Sequence, residues 1–299
     1  MISILIPVYN RNVVSLVTSL HQQLTVVKER VEIIVMDDGS PDESLKNDNR
    51  TILPGFDNVQ YIELPSNLGR NIIRHQLAAA ATYDTLIFLD ADSSFPDTRW
   101  LQRYIRALPG NSIIMGGRSY RPAAPGASSL HFHYGERREQ HNAFRRNKYP
   151  YRSFLACNFL ISKEQLSRLI TDNHLQGYCH EDTFMGLQFE KLNIAVVHID
   201  NPVYHEGIDD DGLFMKKQQE ALVNLHYLCQ TYYPRFNFDT GIKLIRVYKK
   251  ITRTGAGVYM LNKLAGRVEQ FSKNARQSHR LFWLDCWKLV AYHIVSRET

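Results

Sequence analysis

Cysteines are few, and none sits where cysteines act together. Cys157, Cys179, Cys229 and Cys286 are scattered, with no Cys-x-x-Cys pair and no zinc-like spacing. That excludes a zinc-finger or disulfide-framework class and fits a reducing compartment. No apolar run is long enough to span a bilayer. The opening residues, Met1 to Pro7, enter a strand pattern directly, with no charged leader or small-residue cleavage site. A secretory signal is therefore not expected, and a cytoplasmic protein is. Internal repeats and low-complexity segments are also missing. With 44% apolar and 22% charged residues in a chain of 299, the composition is that of a soluble globular protein with one main domain and an appendage.

Acids are nearly missing from the C-terminal fifth. Residues 241–299 carry twelve Lys or Arg against three acids, a net +9, which leaves −3 for residues 1–240. Such a segment is either a solvated helical face or a surface for phosphates, in nucleic acid or anionic lipid. Lys243, Arg246, Lys249, Lys250 and Arg253 are the candidate contacts. Near the end, Trp283, Trp287, Val290 and Ile294 recur at helical spacing and form one apolar stripe. The stripe suits the protein's own core or, beside so many cations, a membrane interface.

The first third of the chain alternates. Ile2 to Ile6, Val31 to Met36, Val59 to Leu64 and Thr85 to Leu89 read as buried strands, and Val13 to Leu24, Asp42 to Asp48 and Leu68 to Ala81 as the helices between them. This predicts successive βαβ units, a parallel sheet with helices on both faces. Farther on, Ser112 to Met115 and Phe154 to Ile161 read as strands, Lys163 to Ile170 and Glu181 to Lys191 as helices, and Ile194 to Ile199 as a last strand before a helical remainder. Pro122 to Pro150 shows no period and reads as a long irregular loop.

Two of the strands end in paired carboxylates. Leu86 to Leu89 delivers Asp90-Ala91-Asp92, and Val31 to Met36 delivers Asp37-Asp38-Gly39-Ser40. Open α/β sheets bind ligands beyond the carboxyl ends of their strands. Hard oxygen ligands fixed there suit Mg²⁺ or Mn²⁺ together with a nucleotide diphosphate. A strand followed by Asp, Ala, Asp and Ser is also an ordinary turn. Two such endings at one sheet edge point to a pocket.

The order Ile6-Pro7-Val8-Tyr9-Asn10, Asp37-Asp38-Gly39-Ser40, Asn67-Leu68-Gly69-Arg70, Asp90-Ala91-Asp92 and Glu181-Asp182 resembles family 2 glycosyltransferases. The resemblance implies a GT-A α/β domain over residues 1–210, with 211–299 as a helical, basic extension. It implies inverting, metal-dependent transfer of a hexosyl or N-acetylhexosaminyl group from a nucleotide-diphosphate sugar, with uridine preferred, to a saccharide or glycolipid acceptor in surface polysaccharide synthesis. By the same resemblance, Pro7, Val8, Tyr9, Asp37 and Asp38 hold the nucleoside. Asn67 and Arg70 face donor groups or the acids at the sheet edge. Asp90 and Ala91 approach the ribose and donor sugar, Asp92 and His205 ligate the metal, and Asp182 is the base. Glu181 is left for donor or acceptor hydroxyls, and Arg74 is a weaker candidate beside Arg70.

Taken singly, most of these residues have plainer uses. Tyr9 suits packing at a strand end, Arg70 a surface, Glu181 and Asp182 the capping of a helix, and His205 a hydrogen-bonded loop. Acceptor choice is expected from the Pro122 to Pro150 stretch and from Cys157-Asn158. Nucleic acid is not expected as a partner, whereas peripheral contact with anionic membrane at the inner face of the plasma membrane is. The alternatives are a catalytically silent nucleotide-sugar-binding scaffold and a sugar-phosphate nucleotidyltransferase. The latter is disfavoured because the chain lacks a Gly-rich, Lys-containing phosphate loop near its start.

Overall fold

A computed structural model of the chain describes residues 1–108, 110, 112–122, 129–175, 177–178, 180–233 and 235–298. Cys179 lies outside the described residues. The strands are β1 (Ile2–Val8), β2 (Val31–Asp37), β3 (Val59–Glu63), β4 (Thr85–Leu89), β5 (Ser93–Ser94), β6 (Ile113–Met115), β7 (Arg118–Ser119), β8 (Asn158–Ser162), β9 (Val196–His198) and β10 (Val203–His205). Seven of them form one sheet in the order β3-β2-β1-β4-β8-β6-β9, and β5-β10-β7 form a small second sheet.

The first four strands pair in parallel, as their alternation with helices requires. Alternate residues then point to opposite faces, and both faces are covered. Ile4, Ile6, Ile33, Val35, Ile87 and Leu89 join one hydrophobic cluster, while Leu5, Ile34, Met36, Leu86 and Phe88 join the other. Burial on both faces is why these strands read as unbroken apolar runs.

Beyond β4 the sheet becomes mixed. β8 runs antiparallel to both β4 and β6, a direction that apolar content, which specifies burial, does not set. The stretch Pro122 to Pro150 is not one irregular loop: among its described residues are the helices Leu130–Arg138 and Ala143–Arg146. The first is capped by Ser129, which accepts the Phe132 amide, and the second by Asn142, which accepts the Arg145 amide. Residues 123–128 lie outside the described part.

Asn158 is a structural joint and not an acceptor contact. It is fully buried. Its amide donates to the Gly117 and Asn201 carbonyls and accepts from Trp100 Nε1 and the Tyr104 hydroxyl. Cys157 is buried beside it, and that burial pushes its thiol up to about 12.

From Asp211 the chain is helical among its described residues. These helices build a third cluster with Phe184 and Leu187, while Met185 and Phe189 of the same helix, Glu181–Lys191, pack under the sheet. The middle of that helix, residues 184–189, is therefore buried on every side. The stripe near the C-terminus faces the same core: Trp287 and Val290 are buried, and Trp283 stacks on Phe271. Trp287 is thus committed to packing and is no membrane anchor.

Asn158→Ala strands the Asn201 carbonyl and the Trp100 Nε1 donor, whereas the Gly117 carbonyl keeps the Val203 amide and the Tyr104 hydroxyl keeps the backbone carbonyl of residue 158. A loss of at least about 2 kcal/mol is expected, read from urea midpoints at unchanged slope.

Candidate active site

The turn after β2 is built before any ligand is considered. Asp37 Oδ1 accepts the Ser40 amide at 2.8 Å and Oδ2 the Ser40 hydroxyl at 2.7 Å. Both oxygens close the turn, and Asp37 is buried and, unlike Asp38, does not line the cleft at this sheet edge, so its carboxylate is a fastener and not a nucleoside contact. Asp38 accepts the amides of Leu68 at 2.7 Å and Gly69 at 3.0 Å. It thereby ties the end of β2 to the helix Arg70–Ala80. Gly39 makes this possible: its φ is +66°, and a Cβ there would lie 2.4 Å from the Ser66 carbonyl carbon. Burial raises the Asp38 carboxyl above its ordinary range, against the two amides.

Asp90 and Asp92 leave the end of β4 into different surroundings. Arg118, on β7, reaches Asp90 Oδ2 at 3.1 Å and Glu139 at 3.3 Å. The Tyr120 hydroxyl also donates to Glu139. Burial and the neighbouring Asp92 raise the Asp90 carboxyl, with Arg118 and Arg74 opposing. Burial also acts on Asp92, but His205, Arg118 and Arg11 outweigh it and hold that carboxyl well below the usual range.

The surroundings of Asp92 fit a cation. Asp92 Oδ1 and His205 Nδ1 face each other 3.3 Å apart, both buried and neither in a hydrogen bond. A proton or a metal between them relieves both atoms. His205 is placed by β10, which pairs with β5 just after the Asp-x-Asp turn. Gly207 closes the other side, since a Cβ there would lie 2.5 Å from Asp92 Oδ2. Among the described residues no group of three or more His, Cys, Asp or Glu is arranged to hold a metal. A metal held by these two residues would need oxygen ligands from a diphosphate to complete its shell, a set that suits Mn²⁺.

Arg74, two charges' neighbour at once, is the residue that the sequence reading underweighted. Its guanidinium is buried and lies 2.9 Å from Glu181, 3.9 Å from Asp90 and 3.2 Å from the Ala156 carbonyl. Glu181 is thus committed to Arg74 and is not free for sugar hydroxyls. Asp182 follows it at the start of the helix Glu181–Lys191 and is half-buried. The helix has His180 as its N-cap, without a side-chain capping bond, so neither acid is the cap. Burial and the nearby Glu181 push the Asp182 carboxyl up to about 7. Arg70, exposed, sits over the Tyr178 ring at 5.2 Å.

A cleft of about 670 Å³ opens at this sheet edge, within the size of small-molecule sites. Pro7, Val8, Tyr9, Asp38, Asn67, Arg70, Asp90, Ala91 and Asp92 all line it, together with Arg74. Asp37, Glu181, Asp182 and His205 stand outside its wall. Of these, His205 meets Asp92 and Glu181 meets Arg74. The far wall was not foreseen: it comes from Gly177, Tyr178 and the helix Asp211–Tyr232, through Lys217 and Glu220. Their sequence signal is faint, since a Lys and a Glu three apart on a helix are ordinary.

A family model described as "Glycosyl transferase family 2" matches residues 3–169, more than half of the chain and all four leading strands. The chain belongs to glycosyl transferase family 2. It is a glycosyltransferase with the GT-A α/β fold. The family match stops short of Glu181, Asp182 and His205. Similar solved structures extend across the fold. A mannosyltransferase from Pyrobaculum calidifontis, solved with GDP-Man and Mn²⁺, is 13% identical with TM-score 0.61 over 99% of this chain and 86% of its own. Residues 1–349 of S. aureus TarS are 14% identical with TM-score 0.51, covering 99% and 90%. The glucosyl-3-phosphoglycerate synthase of Mycobacterium tuberculosis, solved with Mn²⁺, UDP and glucosyl-3-phosphoglycerate, is 20% identical with TM-score 0.51, covering 77% and 80%. A comparison with curated protein sequences finds no match.

Arg74→Met leaves Glu181 and Asp90 facing each other without their shared cation, so a loss of about 3–5 kcal/mol is expected in urea denaturation. Asp182 gives a pH signature. Its folded carboxyl titrates near 7 against an ordinary 3.8, so between these values the folded chain keeps a proton that the unfolded chain has released. Its contribution to stability is lost as pH rises through about 7. Asp182→Asn should flatten that part of the stability profile, measured as urea midpoints across the window.

Proposed function

We propose that the protein transfers a hexosyl or N-acetylhexosaminyl group, with inversion, from a uridine-diphosphate sugar to a saccharide or glycolipid acceptor of surface polysaccharide synthesis. The single observation that carries this reading is the meeting of Tyr9, Asp38, Asp90 and Asp92 in one cleft, with His205 turned onto Asp92 from the second sheet. The Tyr9 ring is 51% exposed and free to stack on a base, and Asp38 is placed to accept an N–H such as the uracil imide. Arg118 and Arg74 hold Asp90 from opposite sides as an oriented acceptor for ribose and sugar hydroxyls. Structures of the fold solved with Mn²⁺ and either UDP or GDP-Man support a nucleotide sugar as donor and Mn²⁺ as metal. Mg²⁺ is the other ion with matching ligand chemistry.

In this mechanism the acceptor hydroxyl attacks the anomeric carbon from the face opposite the diphosphate. Asp182 takes its proton as the new carbon–oxygen bond forms. The bond to the diphosphate breaks, and the nucleotide leaves with the electron pair. Asp92 and His205 would hold the metal, which when bound neutralises charge on the departing diphosphate. A carboxyl titrating near neutrality is matched to the base role: ionised often enough to act, basic enough to accept the proton. The basic C-terminal segment suits an acceptor met at the inner face of the plasma membrane.

Screening nucleotide sugars for metal-dependent hydrolysis tests the donor, and no hydrolysis with any of them would favour a silent binding protein. Asp92→Asn is expected to abolish transfer and to remove the Mn²⁺-dependent part of UDP affinity, read by calorimetric titration with and without the ion. Asp182→Asn should bind UDP as the parent does while transfer falls about 10²- to 10⁴-fold. In the parent, kcat/KM should climb with pH through an apparent pKa near 7. Transfer by the Asp182 variant at the parent rate would remove it from the mechanism.

A further inference from the structure

Between Asp239 and Glu269 the chain contains no acid at all. The helix Lys243–Thr252 occupies the middle of this stretch and buries Ile245. Lys243, Arg246 and Lys250, with Arg253 directly after the helix, are all exposed. Their spacing of three, four and three residues puts the four on one face. None makes an ion pair among the described residues. Lys249, by contrast, pairs with Asp239 at 2.8 Å and covers the Tyr233 ring at 4.1 Å, so it leaves this face. Like charges one turn apart destabilise a helix, and a row of four without counter-charges is explained by an anionic partner.

The next helix, Gly255–Ala265, turns Leu261 inward, fully buried. Its outer side carries Tyr259, 71% exposed, and Met260, 43% exposed, with the exposed Lys263 beside them. An aromatic ring with a polar tip and a flexible thioether, flanked by cations, match the boundary between lipid headgroups and acyl chains. Nucleic acid would match the cations but leaves the exposed Met260 without a use.

We infer that the outer face of the helices Lys243–Thr252 and Gly255–Ala265 docks the protein on an anionic lipid bilayer, with Lys243, Arg246, Lys250 and Arg253 on the headgroups and Tyr259 and Met260 at the interface. This deepens the membrane-facing acceptor reading and rests on it for its purpose. The surface differs from the one expected from sequence: Lys249 is withdrawn into an ion pair, and Tyr259 and Met260 take the place of the buried Trp287.

The test is flotation of the full chain with vesicles of phosphatidylcholine alone or of equimolar phosphatidylcholine and phosphatidylglycerol, without donor or acceptor. Binding to the anionic vesicles only, weakening with salt, is expected. Each basic residue near such a surface contributes roughly a fivefold factor, so replacing Lys243, Arg246, Lys250 and Arg253 together by Gln should lower partitioning at least about 100-fold. Tyr259→Ser with Met260→Ser should remove the binding that persists at high salt. All six positions are on the surface, and an unchanged urea midpoint and far-UV circular dichroism spectrum would show that the variants fold. Equal flotation with both vesicle types, an unaffected quadruple variant, or tighter binding to a single-stranded oligonucleotide than to anionic vesicles would each overturn the docking proposal. The donor-hydrolysis screen decides the transferase reading separately, so either can fail alone.

Discussion

The ion triad of Arg74, Glu181 and Asp90 is the interaction on which the rest of the site depends. A guanidinium taken out of water is tolerable only if carboxylates and carbonyls replace its hydration, and here they come from three parts of the chain. Asp90 brings the end of β4, Glu181 the helix that carries Asp182, and the Ala156 carbonyl the approach to β8. Each partner is expensive to bury without the others. The helix Arg70–Ala80 and the helix Glu181–Lys191 are therefore held at a fixed separation by charge, with the apolar residues of both filling the space beneath. The acid that titrates near neutrality stands on that fixed frame.

Around this frame, nearly every other acid of the sheet edge is already engaged by protein groups. Asp37 closes its own turn, Asp38 holds two amides, and Asp90 lies between two arginines. Asp92 is different: its Oδ1 and the facing His205 nitrogen are buried without hydrogen bonds. Protein folding ordinarily removes such an arrangement, and its persistence beside a cleft is the physical ground on which a cation is proposed there.

Much of this was legible in the sequence, and the reasons are physical. Strands β1, β2 and β4 are buried on both faces, so they stand out as apolar runs, and the acids that follow them fall at one edge because the strands are parallel. The direction of β8 was hidden because it depends on its neighbours. The short strands β5, β7 and β10 have too few residues to show any period, although together they deliver Arg118 and His205. The helix Leu130–Arg138 was obscured by its His and Arg content. Asp37 could have been recognised as a fastener, since a Ser three residues on is a local signal. Arg74 could not: Glu181 lies 107 residues away, and nothing near Arg74 announces it.

The helix Glu181–Lys191 has no solvent-facing side of the usual kind, because the sheet packs against Met185 and Phe189 while the C-terminal helices pack against Phe184 and Leu187. The C-terminal helices are therefore not an accessory added to a self-sufficient catalytic body. They supply one wall of its interior, and through Lys217 and Glu220 one wall of its cleft. Removing them as a block would strip Phe184 and Leu187 of their apolar cover and unseat the helix that bears Asp182.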